Sequence, residues 1–197
     1  MSTTANTFGD PRLAAHRSGT AFLGMVIFMG SWAMLFAGLF FAYGIVRAGT
    51  HAWPPTDLPT LPIGWPGVAT AALALSSVAL QGALSQARKN GKRVGTLTLV
   101  ALAAGVVFLN LQISVWRNLW TLGLRPETGT YASVFYGLTV FHALHVAVGL
   151  VALLFLSTQS LRHRYTATAH IPLRLWTLYW HMVGAVWLLM YVLLYLV

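Results

Sequence analysis

Long uninterrupted runs of apolar residues, separated by short polar or basic connections, set the pattern of this 197-residue chain. A membrane-spanning helix needs about 20 mostly apolar residues. Five segments meet that requirement, at about 20–46, 67–86, 94–116, 132–158 and 175–197. The connection HAWPPTDLPTLPIGWP cannot sustain a helix, because its prolines remove backbone donors and fix φ. The second segment ends in RKNGKR, where Gly91 reads as a helix stop. The fourth and fifth are joined by LRHRYTATAHIPLR. The predicted fold is therefore all-α, a bundle of five transmembrane helices over residues 20–197. Residues 1–19 lack an apolar core of signal-peptide length and are expected to remain as a cytoplasmic tail.

Composition agrees with the pattern. Hydrophobic residues make up 57% of the chain and charged ones 8%, against about a quarter charged in soluble domains. The net charge of +9 is read as topology rather than nucleic-acid binding, because basic loops stay on the cytoplasmic side and meet anionic lipid. Arg12, Arg17, Arg88, Lys89, Lys92, Arg93, Arg162, Arg164 and Arg174 fall in alternate connections, against Arg47, Arg117 and Arg125 in the others. This asymmetry places the N-terminus in the cytoplasm and, after five crossings, the C-terminus outside. With no cysteine, disulfides, iron–sulfur clusters and thiolate copper sites are excluded.

Trp53, Trp65, Trp116, Trp120, Tyr131, Trp176, Tyr179 and Trp180 lie near the ends of spans, where amphipathic rings suit the headgroup zone. Small residues four apart, Gly38/Ala42 and Ala101/Gly105, are candidate points of close helix approach.

The polar groups expected inside the membrane are Gln81, Asn110, Gln112, His142, His145, His181 and several hydroxyls. The three acids, Asp10, Asp57 and Glu127, all lie outside the spans. Proton and ion carriers generally use buried Asp, Glu or His, so a self-contained transport path is disfavoured. The chain also lacks a phosphate-cradling glycine loop, a nucleophile–His–acid set and paired carboxylates. In Phe135–Leu150, FYGLTVFHALHVAVGL, His142 and His145 share one helix face, and His181 sits in the last span. Neutral imidazole ligates haem iron or copper, so His142 or His145 with His181 makes a small b-type cytochrome with bis-histidine haem one reading. Against it, His142 lies toward the outer end of its span and His181 toward the inner end of its own. The plainer reading is that these histidines hydrogen-bond across helices or meet lipid headgroups.

FYGLTVFHALHVAVGL resembles the haem–copper oxidase subunit III signature F-x-x-L-T-G-x-H-G-x-H-V. YWHMVGAVWLLMYVLLYL, from Tyr179 to Leu196, is similar to that family's closing Y-W-H-F-V-D-V-V-W-L-F-L-Y helix. SWAMLFAGLFFAYG, from Ser31 to Gly44, is similar to its S-E-V-L-F-F-x-G-F-F-W-A-Y helix. FLNLQISVW at Phe108–Trp116 and the Pro-rich connection with Trp53 fit the same order.

The resemblance implies the five-helix form of the family, found among bacterial cytochrome c and quinol oxidases and placed in the bacterial cytoplasmic membrane. It implies an accessory subunit that carries no haem or copper itself, packs on catalytic subunit I beside subunit II, and holds structural phospholipid. Haem and copper, with O2 reduction and proton translocation, then belong to the partner subunits. His142, His145, Trp180 and His181 match motif residues, and His170 matches the histidine before the final helix. The departures concern acids: the family's first-span carboxylate falls on Trp32, the third-span acid on Gln112 or Val115, the W-H-F-V-D aspartate on Gly184, and an acid ahead of the last helix on Arg174. Lipid or subunit-interface roles are therefore expected for Trp32, Gln112, His142, His145, His170, Trp180 and His181, without acid–histidine pairing.

Overall fold

The computed structural model describes residues 11–50, 61–162, 164–167 and 169–196, with the side chains of residues 11–18 outside that description. Trp53, Asp10, Asp57, the side chains of Arg12 and Arg17, and most of the Pro-rich connection lie outside the described residues. The elements are α1 (Pro11–Ala48), α2 (Gly64–Arg88), α3 (Val94–Thr121), a 3-10 turn (Pro126–Thr128), α4 (Thr130–Leu161), α5 (Ile171–Tyr191) and a π-helical turn (Val192–Leu196). Among the described residues, five helical segments are long and apolar enough to cross a membrane: Gly19–Ala48, Gly64–Arg88, Val94–Thr121, Thr130–Leu161 and Ile171–Leu196.

Most helices run a few residues beyond the apolar segments that announce them, and the chain-reversal chemistry explains two of the ends. At the end of α2 the residue in the left-handed region is Asn90 (φ 52°), with Gly91 following it. The Gly91 amide donates to Gln86 O at 2.8 Å and the Asn90 amide to Ala87 O at 3.2 Å. Asparagine tolerates this conformation, and at Gly91 a Cβ would make the Gln86 side chain swing aside. The α3 helix continues past Trp116 to Thr121 because its stop is Gly123 (φ 89°). There the Leu124 amide closes on Leu119 O at 3.0 Å.

Helices α2, α3, α4 and α5 form a closed ring in which α2 packs on α3, α3 on α4, α4 on α5 and α5 on α2. Their buried positions recur at alternating steps of four and three. Examples are Ala69, Leu73, Ser76, Leu80, Ala83 and Ala87 on α2, and Ala132, Phe135, Thr139, His142, Val146, Gly149, Leu153 and Leu156 on α4. That 3.5-residue repeat keeps one seam facing a neighbour along the whole helix. The seam of α2 is mostly Ala, Ser and Leu, and small residues permit close approach where lipid removes the hydrophobic drive between helices.

The α1 helix differs. It packs on α4 and α5 outside the ring and buries a narrow stripe, Trp32, Phe36 and Tyr43. The Tyr43 hydroxyl donates to Leu193 O at 2.8 Å, tying the end of α1 to the π-helical turn. Gly38 points away from every neighbour, with nothing within 4 Å of a Cβ placed there. Among the described residues it is therefore not a point of helix approach, whereas Gly105 is one.

Candidate functional site

Trp180 joins the ring together. Its six-membered ring lies between two glycines. A Cβ on Gly149 of α4 would fall 2.5 Å from Trp180 Cζ3, and one on Gly105 of α3 would fall 2.9 Å from Cζ2. Its indole Nε1–H donates to Ser76 Oγ on α2 at 3.0 Å, and that hydroxyl donates in turn to Ala101 O on α3 at 2.6 Å. One side chain of α5 thus touches all three other helices of the ring. Both Tyr179 and Trp180 are 1% exposed and so are core residues, not interfacial anchors. Trp65 and Trp120 do stand on the outer surface, and Trp187 Nε1–H reaches Thr70 Oγ1 at 2.9 Å.

His145 lies on the α1 side of α4. Its ring stacks on Trp32 at 4.3 Å, and Trp32 stacks on Tyr179 at 5.5 Å. His145 Nδ1 is 2.6 Å from Phe141 O of its own helix, so it holds to its own backbone instead of reaching across. The Tyr179 hydroxyl donates to His145 O at 3.0 Å. Trp32 stands where the resemblance puts a carboxylate, so a flat apolar surface replaces an ionisable group beside His145. The two meet by stacking.

His142, one turn away, is enclosed by rings. Phe36 and Phe108 each lie edge-on at 6.2 Å, and Trp187 stacks at 5.4 Å. Neither imidazole nitrogen has a hydrogen-bond partner among the described residues. Gln112 on α3 is equally buried, with both amide atoms unpartnered.

His181 and Gln81 occupy a different place, a slot of about 490 Å³ between α2 and α5 also lined by Thr70, Ser77, Gly184 and Trp187. His181 Nε2 and Gln81 Oε1 are 3.2 Å apart, a bond between helices of the expected kind. Gly184 leaves this slot open, with Ser77 Oγ 3.5 Å from where a Cβ would stand. His170 stands at the residue before α5 without capping it through its side chain, and its buried Nδ1 has no partner among the described residues. Nearby, a recess of about 370 Å³ is lined by Gln159, Arg164 and Tyr165, and burial pushes the Tyr165 phenol above its ordinary value.

The seven candidate residues therefore divide. Trp32 pairs with His145, His142 and Gln112 share the ring interior, Trp180 joins the helices, and His181 and His170 stand apart. Among the described residues no three His, Asp or Glu side chains gather as a metal-binding group. Ser76, Gly149 and the Trp116–Thr139 bond (3.1 Å) were not singled out from sequence. The one signal available was that a tryptophan deep in a span needs a partner for its N–H.

The sequence model of cytochrome c oxidase subunit III matches residues 2–197. Cytochrome c oxidase subunit 3 of Synechocystis sp. is 35% identical over 175 residues, covering 88% of this chain and 74% of that protein. The Thermostichus vulcanus protein of the same name is 31% identical, covering 88% and 86%, and that of Felis catus is 32% identical, covering 87% and 67%. With the family match running through every described helix, the chain belongs to the cytochrome c oxidase subunit III family, as a multi-pass membrane subunit of the respiratory chain.

Proposed function

We propose that this chain is the accessory, cofactor-free subunit III of a proton-pumping haem–copper terminal oxidase in a bacterial cytoplasmic membrane. It stabilises catalytic subunit I beside subunit II and holds phospholipid at its helical surface, with the N-terminus in the cytoplasm and the C-terminus outside. The observation that carries the reading is the family match from residue 2 to residue 197. Electron transfer and O2 reduction belong to the partner subunits. Trp32, Gln112, His142, His145, His170, Trp180 and His181 then serve packing or the lipid and subunit interfaces.

The geometry weighs against the bis-histidine haem reading. His142 is walled by Phe36, Phe108 and Trp187, and a porphyrin on it requires those rings to leave. His181 lies six residues before Trp187, about 9 Å along the helix axis at 1.5 Å per residue, and is bonded to Gln81.

The test is to purify the oxidase through a tag on this chain in mild detergent. Subunits I and II and their haem spectrum should co-purify, and the separated chain should be colourless. Stoichiometric haem on the separated chain would overturn the reading. An oxidase stripped of this chain should lose activity faster during turnover than the intact enzyme.

A further inference from the structure

The ring interior carries three stacked layers where α3, α4 and α5 face one another. The first is aromatic: Phe108 and Trp187 meet edge-on at 4.8 Å, and both contact His142. The third is also aromatic, with Phe135 against Tyr195 at 6.0 Å and Tyr195 against Tyr191 at 5.6 Å. Gln112, one turn beyond Phe108 on α3 and one turn before Trp116, occupies the layer between them. Thr139, which accepts the Trp116 N–H, sets the level of α4 there.

Five buried polar atoms of residues in these layers lack a hydrogen bond among the described residues: Gln112 Oε1 and Nε2, His142 Nδ1 and Nε2, and Tyr195 Oη. Their residues are 1%, 1% and 7% exposed, respectively. The Gln112 amide is close enough to act on the Tyr195 phenol, yet the pair misses direct hydrogen-bond geometry. Buried polar groups in native proteins are nearly always paired, with protein or with an ordered water, and a buried water characteristically makes about three bonds to groups of this kind. The three side chains offer both donors and acceptors, whereas their apolar neighbours offer neither.

We propose that Gln112, His142 and Tyr195 together bind one ordered internal water in the layer between the two aromatic layers. A water donates twice and accepts twice, so it can serve the amide, one imidazole nitrogen and the phenol at once. The site links α3, α4 and the carboxyl-terminal turn through a molecule that is not part of the chain.

The experiment is a cryo-EM map of the intact oxidase, at a resolution showing ordered water elsewhere in the complex. A peak within hydrogen-bond distance of all three side chains is expected, and it should vanish in Gln112→Leu. Direct bonding among the three side chains with no peak, or a peak unchanged in Gln112→Leu, would overturn the proposal. Should Gln112→Leu fail to assemble, Tyr195→Phe and His142→Gln serve instead. Tyr195→Phe should shift or remove the peak, and His142→Gln, which keeps a donor and an acceptor, should retain it. The thermal midpoints supply a second readout. Gln112→Leu with Tyr195→Phe should lower the midpoint by no more than the larger single change, and strictly additive losses would count against a shared water.

Discussion

Replacing Gly149 with alanine tests whether Trp180 holds the ring as described. The new methyl carbon would lie 2.5 and 2.6 Å from two carbons of the Trp180 ring, where carbon pairs normally sit at about 3.5–4.0 Å. The overlap is about 1 Å. The indole has little room to yield, because its N–H is bonded to Ser76 and its other side lies against Gly105. Overpacking of this kind costs about 1–3 kcal/mol, partly offset by up to about 1 kcal/mol of better helix propensity. The net loss of about 1–2 kcal/mol corresponds to about 2–8 °C in a protein of this size. The assay is the temperature at which tagged oxidase loses this subunit in mild detergent, followed by size-exclusion chromatography after heating. Gly149→Ala should fall furthest, Gly105→Ala less, and Gly38→Ala least, since no described residue lies within 4 Å of a Cβ there. Trp180→Phe, which removes the crowded part of the ring, should recover part of the loss when combined with Gly149→Ala. Equal midpoints for Gly149→Ala and Gly38→Ala, or additive losses in the double variant, would refute the reasoning.

Ser76→Ala should destabilise the subunit by about 1–3 kcal/mol, since it leaves the buried Trp180 N–H unpaired; thermal midpoints in the same assay check this, and Ser76→Thr should retain most of the stability. Trp32→Ala removes the stack on His145 and Tyr179 and should loosen α1, which faster proteolysis near α1 would report, with the ring still protected. The chain has no cysteine, so Asn90→Cys and Glu127→Cys give clean orientation probes; membrane-impermeant thiol reagents added outside intact cells should reach position 127 and not position 90.

The number of helices was legible because lipid imposes one requirement, a long apolar run, which the chain meets five times without ambiguity. Which face of each helix turns inward was not legible. A helix such as α4 is apolar all round, so Val146 in the core and Val148 at the surface look alike in sequence. Glycines pose the same difficulty: Gly38 and Gly149 are indistinguishable until the neighbouring Trp180 is in place. Tryptophans near span ends suggested membrane anchoring, which suits Trp65 and Trp120, while Trp180 was drawn inward by Ser76 and two glycines on other helices. Histidine pairing was legible in part. The shared face of His142 and His145 follows from their spacing, but their separation into an aromatic enclosure and an outward stack depends on α1 and α5.

The bare flank of α1 has a consequence for biogenesis. Only 11% of the most apolar window in its span is buried, and lipid supplies no hydrophobic drive to press it onto the ring. The Trp32, Phe36 and Tyr43 stripe and the bond to Leu193 are what dock it. Leu193 lies 150 residues beyond Tyr43, so this latch cannot close until α2 to α5 have all been made. α1 is thus made before the four ring helices and receives this latch after them. Until then α1 rests on α4 and α5 through its aromatic stacks, and its Tyr43 end can meet another polypeptide before it meets Leu193.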